Sequence, residues 1–196
     1  MADTAEESKV NLIVEDGSCV PSANCYVSLE YADRYMRNTG KSGWDKKSED
    51  ERKSFLINAT LYIDRTYSVI GWKGRKKYIN PNRKQSLCFP RVELFDKDGV
   101  EVLGIPDELK QAVCEAGFIN TTVSSLFDVK DSAGTVKKQK VDVLEVEYYS
   151  QADSASGSYI SRFTILDSLL AGFYKTKSDY RRIKRAIHTD QLGGII

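Results

Sequence analysis

Between Trp72 and Lys84 the chain carries Lys73, Arg75, Lys76, Lys77, Arg83 and Lys84 without an intervening acid, and Trp72 and Tyr78 bracket the first run of cations. Cations interleaved with aromatic rings suit single-stranded nucleic acid, because the charges follow phosphates while the rings stack on bases. The same composition fits a solvated loop whose charges balance acids elsewhere on the chain or on a neighbouring subunit, with the rings buried against helices. The formal net charge is only +1, so no global field draws in nucleic acid or membrane, and such binding rests on a local patch. A second basic segment holds Lys175, Lys177, Arg181, Arg182, Lys184 and Arg185 against Asp179 and Asp190, and ends in Leu192, Ile195 and Ile196. It fits nucleic acid, an acidic partner surface, or a tail without fixed structure. The apolar tip favours docking, since an isolated apolar end gains nothing in water.

Covalent catalysis has little to work with. The one histidine, His188, lies in that tail, whereas a nucleophile needs a base held rigidly beside it. Carboxylates such as Asp33 and Asp64 read as solvated helix faces. Gly40-Lys41-Ser42 resembles the end of a phosphate-binding loop, but Tyr35 stands where that motif needs glycine. Asp96-Lys97-Asp98-Gly99 lacks the later oxygen ligands of a calcium loop and reads as a hairpin turn. Cys19, Cys25, Cys88 and Cys114 show no CxxC spacing and read as reduced thiols of a protein made in a cytoplasm. The expectation is a protein that is not an enzyme and needs no metal or cofactor.

The elements that position these residues are mostly helical. Ser28 caps a helix from about Leu29 to Asn38, with Leu29, Ala32, Tyr35 and Met36 on one face and a stop at Gly40. Ser48-Glu49-Asp50-Glu51 is a capping box for a second helix. Phe55, Ala59, Tyr62 and Thr66 form its stripe, flanked by Leu56, Ile63 and Tyr67, and it is expected to end near Tyr67. Pro106-Asp107-Glu108 opens a third helix whose stripe runs to about Phe127. A fourth starts near Thr164 and buries Ile165, Leu166, Leu169, Leu170 and Phe173. Val10 to Glu15 suggests a short strand, Val92 to Leu103 a hairpin, and Val136 to Tyr149 one long strand or a second hairpin.

At 196 residues the chain fits one domain. We expect a disordered acidic arm over 1–9, a core over 10–174 and a basic tail over 175–196. The fold class is mainly α (α+β), an antiparallel helix bundle with an inserted β-hairpin and extended terminal arms. Apolar runs fall far short of the ~20 residues that span a bilayer. The acidic start is the reverse of a secretory signal.

One ordered set of motifs carries a resemblance. Asn24-Cys25-Tyr26-Val27-Ser28 precedes the first helix, and Trp44 precedes the second, which carries Ala59-Thr60-Leu61-Tyr62-Ile63-Asp64. Then follow Gly74-Arg75, Phe89-Pro90-Arg91, Asp98-Gly99, Ile105-Pro106 and Val146-Glu147-Tyr148. Over about residues 13–149 this order resembles the phage head–tail connector (adaptor) proteins, whose relatives are often labelled DnaT-like single-stranded DNA-binding. Phe89 stands where tryptophan is commoner, and the tail beyond Phe173 is longer and more basic than in the family. The resemblance implies a non-enzymatic virion protein at the head–tail junction. It implies a ring, typically dodecameric, that sits under the portal protein, passes double-stranded DNA and presents a platform to a tail or neck protein. The motif residues it marks are Asn24, Tyr26, Tyr62, Asp64, Phe89, Pro90, Arg91 and Pro106. The loop Trp72, Lys73, Arg75, Lys76, Lys77 and Tyr78 becomes a subunit or DNA contact. The tail residues Arg181, Arg182, Lys184, Arg185, Leu192, Ile195 and Ile196 become the expected portal anchor. The alternative is a single-stranded DNA-binding module of replication.

Overall fold

The computed structural model describes residues 9–78, 85–96, 98–123, 125–127, 139–141, 144–146 and 163–175. Residues 1–8 of the expected arm, Arg83, Lys84 and residues 176–196 of the tail, with Arg181, Arg182, Lys184, Arg185, Leu192, Ile195 and Ile196, lie outside these residues. In chain order the elements are α1 (Leu29–Asn38), α2 (Glu49–Ile70), β1 (Arg75–Lys76), β2 (Arg91–Val92), α3 (Asp107–Asn120), β3 (Gln139–Val141), β4 (Leu144–Val146) and α4 (Thr164–Leu170). The fold is mainly helical α+β. β1 pairs antiparallel with β2, and β3 with β4, so the segment read as one strand or a hairpin contains a hairpin.

Helix starts follow local chemistry. Ser28 Oγ accepts from Tyr31 N–H. At α2, Ser48 Oγ accepts from Glu51 N–H, and the Glu51 carboxylate accepts from Ser48 N–H at 2.8 Å, which together satisfy two N–H groups the helix leaves unpaired. Pro106 is the residue before α3 rather than its first turn; its carbonyl accepts from Leu109 and Lys110 N–H.

The ends differ from the sequence expectation. α2 runs past Tyr67 to Ile70, and Gly71 (φ +97°) then closes it with a bond to the Tyr67 carbonyl. α3 stops at Asn120 instead of Phe127. Thr121 and Thr122 hydroxyls return to the carbonyls of Phe118 and Ile119 at 2.7 and 2.8 Å, a local bonding pattern that competes with helix propagation. Residues 10–15 form no strand, only a single bridge from Val14 to Cys25. Instead the Asn24 side chain takes Ile13 N–H and donates to Asn11 O. In α4, Leu166 and Leu170 are buried, but Ile165 is 47% exposed, because the helix ends at Leu170 and only one face meets the core.

α3 is the hub, packed against α1, α2 and α4. Leu56, Ile63, Leu109, Val113 and Leu166 are fully buried at these contacts. A side chain on Gly117 would meet Leu56 Cδ2 at 3.1 Å, so glycine lets α2 and α3 approach closely. Glu93 has φ +57° and turns the chain from β2 into the expected hairpin. There Phe95 bridges Glu101, Val102 N–H bonds Leu94 O, and Asp96 Oδ1 accepts from the N–H groups of Asp98 and Val100.

Candidate functional site

The basic loop leaves α2 at Gly71 and is tied down on both sides. Arg75 pairs with Val92 and Lys76 with Arg91, while Lys73 N–H bonds Phe173 O and Lys175 N–H bonds Gly71 O. Gly74 has φ +63°, and a Cβ there would lie 2.5 Å from Val92 O, so no other residue fits this crossing. Trp72 is only 5% exposed. Its ring lies 5.5 Å from Tyr67 and 4.9 Å, edge to face, from Phe89. A ring so enclosed cannot stack on a base, which corrects the open reading of Trp72 as a contact group. Lys73 Nζ turns back to Gly172 O at 3.0 Å. Arg75, Lys77 and Tyr78 stand exposed, and Arg75 pairs with Glu93 at 3.1 Å, an exposed pair of small energetic weight.

Behind the loop the motif residues form one internal brace. Arg91 is 9% exposed. Its guanidinium donates to Lys73 O at 2.6 Å, Gly74 O at 2.8 Å and Cys88 O at 3.1 Å, and it lies over the Phe89 ring. Burial lowers the pKa of this guanidinium. Tyr26 Oη donates to Asp64 Oδ1 at 2.7 Å and accepts from Phe89 N–H, while Asp64 Oδ2 accepts from Cys88 N–H at 2.8 Å. Burial raises the Asp64 pKa against the lowering effect of these two bonds. Asp64 therefore fastens α2 to the loop before β2 and is not a solvated face. Pro90 is buried and its carbonyl accepts from Lys77 N–H. Tyr62 is buried between Phe127 and Phe163.

Three polar clusters escaped the sequence reading. Buried Glu15 gathers the N–H groups of Gly17, Cys19 and Val20, all at 2.9 Å. Cys19, held at φ +61°, then donates its thiol to Lys77 O, while buried Gln85 donates to the carbonyls of Leu87 and Pro90. This clamp anchors the basic loop to the N-terminal turn. Asp33 takes Trp44 Nε1 and Arg52, both at 2.7 Å, so it too is not a solvated carboxylate. Glu115 takes Tyr35 Oη and Lys41 Nζ, which engages Lys41 in a structural pair; burial and Glu115 raise the Tyr35 pKa. The glycine stop at Gly40 marked a turn alone, since an acid such as Glu115, whose partners lie 80 and 74 residues away, leaves no local mark.

On the outward side of α2 a groove of about 460 Å³ runs past Ile57, Leu61, Asp64 and Arg65 to Leu87 and Cys88. Cys88 Sγ lies 3.1 Å from Ser68 Oγ at its edge, and the four cysteines are free thiols. Among the described residues no helix is long and apolar enough to cross a membrane.

Buried polar braces thus lock the basic loop into a mainly helical scaffold. The chain belongs to the family described as "Putative DnaT-like ssDNA binding protein", which it matches over residues 10–186. No curated protein and no solved structure matches it.

Proposed function

We propose that the chain is a structural adaptor of a phage head–tail junction, assembling with copies of itself into a ring that passes double-stranded DNA between portal and tail proteins. The observation that carries this reading is where the motif residues stand. Tyr26, Asp64, Phe89 and Arg91 point into one another and brace a scaffold, as suits a protein whose work is done by exposed loops and edges. Copies joined head to tail close into a ring when the rotation between them fits.

The family description favours a second reading, binding of single-stranded DNA. Exposed Arg75, Lys77 and Tyr78 in one run supply cations and a ring for it, although Trp72 is committed to the core. Two measurements on the full chain separate the readings. Sedimentation with and without the portal protein should give a ring and a co-sedimenting complex. Fluorescence anisotropy with a labelled oligonucleotide should give weak binding at ~150 mM salt. Tight binding there with a steep salt slope, and no assembly, would replace the adaptor reading with the second.

A further inference from the structure

We infer that copies of this chain join through the hairpin of one and the α2 groove of the next, an assignment that rests on the adaptor reading and names its contact surfaces. The hairpin presents an outward face built by its register. Because Phe95 bridges Glu101 and Val102 N–H bonds Leu94 O, Leu103 falls two residues beyond Glu101 on the same face. Phe95 is 49% and Leu103 75% exposed, two large apolar side chains beside the exposed Glu101 on a short ribbon.

The groove offers the complement. A helix that packs on one side only is expected to be polar on the other. α2 departs from this: Ile57, Leu61, Arg65 and Val69 follow one another at helical spacing on its outward side, with Leu61 at 38% and Val69 at 70% exposure. Leu87 forms the facing wall. Arg65 is the exposed cation of this lining, against the exposed Glu101 of the hairpin, while Glu93 is held by Arg75. Ridge and groove are different surfaces of one chain, so the contact is head to tail and repeats from copy to copy. Burial of Phe95 and Leu103 supplies the apolar contact, and pairing of Arg65 with a hairpin acid fixes register.

The test uses the full chain in sedimentation velocity across a concentration series. Wild type should assemble. Leu103→Asp and Leu61→Asp should each remain monomeric, and their equimolar mixture should stop at a dimer, because each variant retains the surface the other lacks. Glu101→Arg and Arg65→Glu alone should each raise the half-assembly concentration about tenfold or more, and the double reversal should recover most of the loss. These charge changes lie on exposed positions and keep the question open to refutation should an aspartate variant fail to fold. If wild type assembles and the charge variants assemble like it, the hairpin–groove contact is wrong while the ring reading stands. If wild type stays monomeric at every concentration, the adaptor reading falls and takes this contact with it.

Discussion

Replacing Arg91 by Lys keeps the charge and removes the fork. In the structure three donors of one planar group meet three carbonyls, those of Lys73, Gly74 and Cys88. A lysine ammonium on a flexible stem cannot reach all three from the same position. Hydrogen bonds from a charged group contribute about 1.5–3 kcal/mol each. Losing two of them gives a gross figure of about 3–6 kcal/mol. The packing of the guanidinium over Phe89 is lost as well. Urea denaturation at neutral pH should therefore show a lower midpoint with an unchanged slope. If Arg91 instead served as a phosphate contact, Arg91→Lys would keep most of its electrostatic role and leave stability alone. A stability change under about 0.5 kcal/mol would refute the brace.

The remaining predictions follow the same packing. Leu56→Ala and Val113→Ala, both at fully buried positions, should cost about 2–4 kcal/mol in denaturant melts; losses below half a kilocalorie at both would refute the α2–α3 core. Gly74→Ala should destabilise clearly in thermal melts, since its Cβ would lie 2.5 Å from Val92 O at φ +63°; an unchanged melting temperature would refute that crossing. The Asp64 carboxyl has its pKa raised by burial, so the folded chain holds this proton more tightly than the unfolded one. Stability from this group is present below its unfolded pKa and falls as pH rises through the folded value. Asp64→Asn should remove that component from a stability–pH series, and an identical pH slope in the variant would count against it.

Capping boxes, glycine stops and apolar stripes are local, and they placed the helix starts at Leu29, Glu49, Asp107 and Thr164. Helix ends were less legible. Thr121 and Thr122 turned back on α3 where the apolar stripe continued, and Gly71 admitted one more turn of α2 than the stripe marked. The order of motifs carried the DnaT-like family label, which the match over residues 10–186 shows. The sequence alone could not say which cations were free, because Lys73, Arg91 and Lys41 are committed by partners 99, 17 and 74 residues away. Nor could it separate the stacking role of Trp72 from its burial, since the same ring serves either end until Tyr67 and Phe89 close around it. Propensity and patterning act over a few residues. The desolvation that turns Asp64, Glu15 and Arg91 from surface charges into internal braces depends on chain segments that meet only in the folded core.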